Sequence, residues 1–226
     1  MLFSLLRGNM SFTSAALYIL ASLVVIFLTL PFHEFAHAFV ADKLGDRTPR
    51  YQGRLTLNPM AHIDYIGAVF LLFLGFGWAK PVQIDARAFK NPKLGMFLSA
   101  LAGPVMNLIL SFIAYFGYYG CLAMFYHFQQ PVYQYAAVFF SLYASINVML
   151  AVFNLIPIPP LDGSRVLYVF LPTKAYFGLM RYERYLSIGV MVLIWLGVFD
   201  RPLSFLCNAL EGWLSFLPRI LLFGLG

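Results

Sequence analysis

The 226-residue chain is 62% hydrophobic and 11% charged, with a mean hydropathy of +0.80 and a formal net charge of +6. A water-soluble domain cannot hide that much apolar surface, so composition predicts a multi-pass membrane protein whose closely spaced apolar runs leave no room for a separate soluble domain. The surplus Lys and Arg sit in loops beside apolar runs and read as cytoplasmic loops facing anionic lipid; no basic stripe is interleaved with exposed aromatics, which argues against nucleic-acid binding.

Arg7 and the apolar run after it have the outline of a signal peptide, but the run is too long and carries His33, so a retained span is expected. That first span runs from Thr13 to Ala41 and contains His33-Glu34-Phe35-Ala36-His37. On a helix the two histidines lie one turn apart on one face, where their rings can hold one zinc ion with Glu34 beside it as general base. Desolvating two imidazoles and a carboxylate costs on the order of several kcal/mol unless something pairs with them, which favours a metal over mere hydrogen bonding to neighbouring helices. Pro31 frees a carbonyl and is expected to bend this helix, which could open its side to water. The stretch Asp42 to Asp64 is polar and rich in turn residues. With Lys43, Arg47, Arg50 and Arg54 it is expected in the cytoplasm, which puts the N-terminus outside.

Tyr65 to Trp78 is apolar but short for a span, and Lys80, Arg87, Lys90 and Lys93 follow it. With both flanks cytoplasmic, it is expected to enter and leave on one side. Gly67, Gly75, Gly77 and Pro81 suit a re-entrant element bordering a cavity; a short, tilted span is the alternative. Leu94 to Tyr126 reads as a span kinked at Gly103-Pro104, with Asn107 one turn beyond. His127 to Pro131 has no Lys or Arg and is expected outside. Val132 to Ile156 returns to the cytoplasmic side, where Pro157, Pro159 and Pro160 break the helix and Asp162-Gly163 makes a turn. Tyr185 to Phe199 is expected to cross outward. The tail, Pro202 to Gly226, either crosses again or lies in the interface as an amphipathic helix. Cys121 and Cys207 have apolar surroundings and no CxxC spacing, and read as packed small hydrophobes. There is no internal repeat and no low-complexity tract.

Charge asymmetry puts the histidine pair and Asp162 on the same side of the membrane. A catalytic zinc needs three protein ligands and an open position for water, and Asp162 is the best third ligand available; a solvated turn aspartate is the equal alternative. In the chemistry these parts imply, zinc acidifies a water, Glu34 takes its proton, a peptide carbonyl is attacked, and Glu34 returns the proton to the leaving amine. A helical transmembrane substrate must first unwind. Asn107, Asn147 and Asn154 are intramembrane amides able to receive its freed backbone, and for Asn147 interhelical hydrogen bonding is equally open.

Taken together, HEFAH, Gly103-Pro104-Val-Met-Asn107, and Asn154-x-x-Pro157 with Leu161-Asp162-Gly163 resemble the site-2 protease family of intramembrane zinc metalloproteases. The motifs stand in the family's order, from about Leu20 to Tyr185. With Leu57-Asn58-Pro59-x-x-His62-x-Asp64 and Gly77-Trp78-Ala79-Lys80-Pro81-Val82, the chain is similar to the small prokaryotic members without a PDZ or CBS domain. The resemblance implies one Zn2+ per chain, held by His33, His37 and Asp162, with Glu34 catalytic and with Asn107 and Asn154 shaping the site or holding substrate. It implies cleavage in or near the transmembrane segment of a membrane-anchored protein, as in regulated intramembrane proteolysis, near the cytoplasmic face of the cell (inner) membrane. It also implies a re-entrant, β-like element beside the substrate. His62 could gate the zinc cavity or substitute as a ligand, but zinc already has three ligands, so an interfacial loop histidine is the preferred reading.

The fold expected is therefore an all-α polytopic membrane protein of about four to six transmembrane helices, with a re-entrant, partly β-like element after the first span, and residues 1–226 forming a single integral-membrane domain. Its partners are the bilayer and a membrane-anchored protein substrate. A metal-ion transporter is the competing function. It needs no base directly after the first histidine, and it predicts polar residues along the outer halves of the spans, which are scarce. A non-catalytic membrane chaperone is disfavoured because the base and all candidate ligands are present.

Overall fold

The computed structural model describes residues 11–74 and 77–223. Arg7, Gly75 and the last residues of the tail lie outside the described residues. Four helices are long and apolar enough to cross a membrane: α1 (Phe12–Leu44), α5 (Pro92–Phe128), α6 (Pro131–Asn154) and α10 (Asp200–Phe223). Shorter helices fill the links: α2 (Thr48–Tyr51), α3 (Pro59–His62), α4 (Tyr65–Leu74), α7 (Asp162–Leu167), α8 (Thr173–Met180) and α9 (Glu183–Trp195).

The Ser11 hydroxyl caps α1 by accepting the Ser14 N–H at 3.1 Å. The bend expected at Pro31 is taken up inside the helix as a π turn, Val25–Thr29, where the Leu30 N–H reaches back five residues to the Val25 carbonyl. Proline cannot donate to the preceding turn, so the widened turn ahead of it absorbs the missing bond without ending the helix. α5 likewise runs unbroken through Pro104.

The core lies where α1, α5, α6 and α10 meet around Val25, Leu30, Tyr115, Val148 and Leu203. One polar knot sits in it. The Thr29 hydroxyl donates towards the Tyr143 hydroxyl (2.9 Å) and the Asn147 carbonyl oxygen (3.3 Å), and the Asn147 amide donates to the Tyr143 carbonyl (2.8 Å). Asn147 thus bonds helix to helix, the alternative left open for it. Outward-facing apolar side chains such as Ile113, Phe205, Trp213 and Leu221 are exposed, as on any lipid-facing surface.

The re-entrant reading of the segment after α1 is matched by its ends. α4 is ten residues long, and the chain then returns so that Ala79 forms an antiparallel bridge with Ile63. The β-like character amounts to that single bridge, continued by the Lys80 N–H donating to the His62 carbonyl at 2.8 Å.

The expected outward crossing by Tyr185 to Phe199 is not found. α9 has thirteen residues, about 20 Å at ~1.5 Å per residue, against a hydrocarbon core of about 30 Å. Its Ile194 lines one cavity with Phe153, near the end of α6, and with Phe199 and Leu203, so α9 remains at that end of the bundle. The crossing falls to α10. Cys207 lies against Met149 in the second half of α6, and the Phe223 ring packs on Tyr119 and Tyr126 near the far end of α5, so α10 runs alongside α5 in the same direction.

Candidate active site

Three helices bring His33, His37 and Asp162 together. α1 presents the two histidines one turn apart, 5% and 2% exposed. Asp162 is the first residue of α7, after a series of tight turns that follow α6. Gly163 allows that approach: a Cβ there would lie 2.3 Å from the Leu155 carbonyl oxygen and 2.4 Å from that of Ile156. Lys93 ties the region to α5 by donating to the Val169 and Leu171 carbonyls at 3.2 and 2.9 Å.

The Nε2 atoms of His33 and His37 are 3.0 Å apart, and each is 3.2 Å from Asp162 Oδ2. Their Nδ1 atoms point the other way. His33 donates to the Asn107 side-chain oxygen at 3.3 Å, and His37 to the Ser99 carbonyl at 2.7 Å. With the ring proton on Nδ1, both Nε2 lone pairs face the carboxylate oxygen. Asp162 Oδ2 is buried and has no hydrogen-bond partner despite the two short contacts. Three lone pairs converging in a buried space repel unless a cation lies between them. The donor set, two imidazoles and a carboxylate within 4.8 Å of one another, suits zinc. Triangle edges of 3.0–3.2 Å are close to those that metal–ligand bonds of about 2.0–2.1 Å impose. Burial opposes the charge on Asp162, and the imidazoles beside it outweigh that, so its carboxyl is held below the usual carboxylate range.

Two features of α5 belong to this site. Asn107 orients His33, as acceptors behind metal-binding imidazoles do. Gly103 leaves room for both rings, since a Cβ there would lie 2.3 Å from His37 Nε2 and 2.6 Å from His33 Cε1. The sequence reading gave Gly103 only a kink. Its spacing, four residues before Asn107, was the available sign of a shared face.

Glu34 is 8% exposed, and its Oε2 accepts the Val82 N–H at 3.0 Å. Asn154 bonds back to its own helix, donating to the Leu150 carbonyl at 2.9 Å. His62 stands apart from the ligand group; it is fully buried rather than interfacial, with Nε2 2.8 Å from the Thr56 carbonyl oxygen. The cavity shared by α1, α6, α9 and α10, of about 340 Å³, is lined by none of the three candidate ligands or Glu34.

A family model described as peptidase family M50 matches residues 119–198, a stretch that includes Asp162 and lies beyond the histidine pair. Over 181 residues the chain is 42% identical to a Bacillus subtilis protein named "Putative zinc metalloprotease YwhC", covering 78% of this chain and 79% of that one. The chain belongs to peptidase family M50. Two further relatives of this M50 protein carry the name "Putative zinc metalloprotease Rip2". The one from Mycolicibacterium smegmatis is 30% identical over 178 residues, or 74% of this chain and 63% of the relative. The one from Mycobacterium tuberculosis is 26% identical over 190 residues, or 82% and 66%. No solved structure matches the chain. The resemblance to site-2 proteases is thereby borne out: this M50 protein is a multi-pass membrane zinc metalloprotease.

Proposed function

We propose that the protein, as a single domain spanning residues 1–226, hydrolyses a peptide bond in or near the transmembrane segment of a membrane-anchored protein, using one zinc per chain held by His33, His37 and Asp162. The observation that carries this is the convergence of three buried lone-pair donors, two of them on a helix long enough to span the membrane. A bound zinc ion would supply an acidified water and a Lewis acid for the scissile carbonyl. Glu34 takes the proton from the attacking water and delivers it to the leaving amine. Asn107 holds the His33 ring in the tautomer that leaves Nε2 free to bind, and Asn154 shapes the site from the end of α6. The basic residues Lys43, Arg47, Lys80, Lys93 and Arg165 flank the end of the bundle that holds the site. This supports an active site near the cytoplasmic face of the cell membrane. Regulated intramembrane proteolysis is the process that such chemistry serves.

The test is reconstitution in vesicles with a quenched-fluorescent transmembrane peptide of Leu and Ala carrying a central Asn-Gly pair. Wild type cleaves it and contains about one zinc per chain. Glu34→Gln keeps the zinc and loses cleavage, whereas Asp162→Ala loses both. Substantial cleavage by Glu34→Gln removes the general-base assignment, and undiminished zinc in Asp162→Ala removes the third ligand.

A further inference from the structure

Glu34 owes its place on the helix to α1, but the direction of its carboxylate is fixed by the chain segment after the re-entrant element. Val82, 1% exposed, donates its N–H to Glu34 Oε2 at 3.0 Å. The stretch around Val82 is anchored on both sides. Upstream, the Lys80 N–H donates to the His62 carbonyl at 2.8 Å, and Ala79 bridges Ile63. Arg54 adds a bond to the Lys80 carbonyl at 3.3 Å and one to the Ala61 carbonyl. Downstream, Asp46 receives the Asp85 N–H on Oδ2 at 2.8 Å and the Thr48 N–H on Oδ1 at 2.9 Å. Asp46 is fully buried. A carboxylate in such a place is tolerated because main-chain N–H groups take up its charge. Asp46 therefore joins the end of α1 to the extended stretch that reaches Glu34.

We propose that Asp46 is a positioning residue for the reaction: it clamps the stretch from Lys80 to Asp85 so that the Val82 N–H holds Glu34 in one orientation. A glutamate side chain is free to rotate about several bonds, and a base that must meet a water and then an amine gains from losing that freedom beforehand. The Val82 N–H occupies Oε2 and leaves Oε1 to carry the proton. The inference rests on Glu34 acting as the base.

Two substitutions test it, each read on the same peptide and by zinc content. Replacing the Val82 amide with an ester, by incorporating the α-hydroxy analogue of valine, deletes only the N–H. Asp46→Ala deletes the clamp. Both lower kcat about tenfold, with KM within about twofold and zinc near the wild-type level, while Asp46→Asn, which keeps one carbonyl oxygen, falls between. Hydrogen exchange gives a second reading that needs no substrate: the Val82 amide, slow in wild type, exchanges about tenfold faster in Asp46→Ala and in Glu34→Ala. An unchanged kcat in the ester protein, a change confined to KM, or Val82 exchange at the wild-type rate in Asp46→Ala overturns the proposal. If Asp46→Ala does not fold, the ester protein decides alone. Glu34→Gln run in parallel separates the two readings: cleavage at the wild-type rate refutes the base itself, whatever Asp46 does.

Discussion

At Gly103 a hydrogen atom is all that α5 can place against the two imidazoles. Gly103→Ala puts a methyl group within 2.3 Å of His37 Nε2, inside any real carbon–nitrogen contact, so a ring must move. Overpacking of this kind costs about 1–3 kcal/mol. The expected result is a folded membrane protein with little zinc, seen as a lost metal signal with the helical circular dichroism kept. Asn107→Ala acts more gently, because His33 keeps its place and loses only the acceptor for its Nδ1 proton. Zinc affinity should fall roughly 10- to 100-fold, measured by competition with a chelator, and Asn107→Asp should restore most of it. A loss of zinc in Gly103→Ala no larger than in Asn107→Ala would mean that the rings have more room than the close approach indicates.

Among the elements, α1 was the most legible. A long apolar run with His-x-x-x-His spacing fixes a helix, its buried face and the pairing of the two rings. Asp162 was legible only by its location at the end of the span from Val132, because nothing in a sequence tells a ligand aspartate from a turn aspartate. Its approach depends on Gly163 meeting the Leu155 and Ile156 carbonyls. Those are backbone atoms that cannot yield as a flexible side chain would, so Gly163→Ala should displace the start of α7 and cost zinc while leaving α6 intact. Zinc retained at the wild-type level would show that α7 can shift without carrying Asp162 away. The Tyr185 to Phe199 run misled because hydropathy records how apolar a segment is and not which way it lies. Thirteen helical residues of α9 satisfy the same average as part of a span. The roles of Asp46 and Val82 were invisible for another reason. Each acts through main-chain N–H groups, and a backbone donor has no letter in the sequence.

For the whole molecule, four candidate spans, with α10 running in the same direction as α5, return the chain to the side on which it began. A reporter fused after Phe223 should therefore be found on the same side as one fused before Phe12, and opposite to one fused in the Gln83–Lys90 stretch. Reporter positions that place Phe223 with Lys90 would refute the crossing by α10. The π turn at Val25–Thr29 reaches further than its five residues. Viewed down the axis of α1 it is a phase shifter, setting the angular offset between the half that faces the outer bundle and the half that carries the histidines. Deleting one residue within it would let the helix run regularly and would swing everything downstream by about 100°. His-Glu-x-x-His would still be spelled out letter for letter, yet turned away from α5 and Asp162. A single-codon deletion there is thus expected to silence the protein while every motif in its sequence still reads as intact.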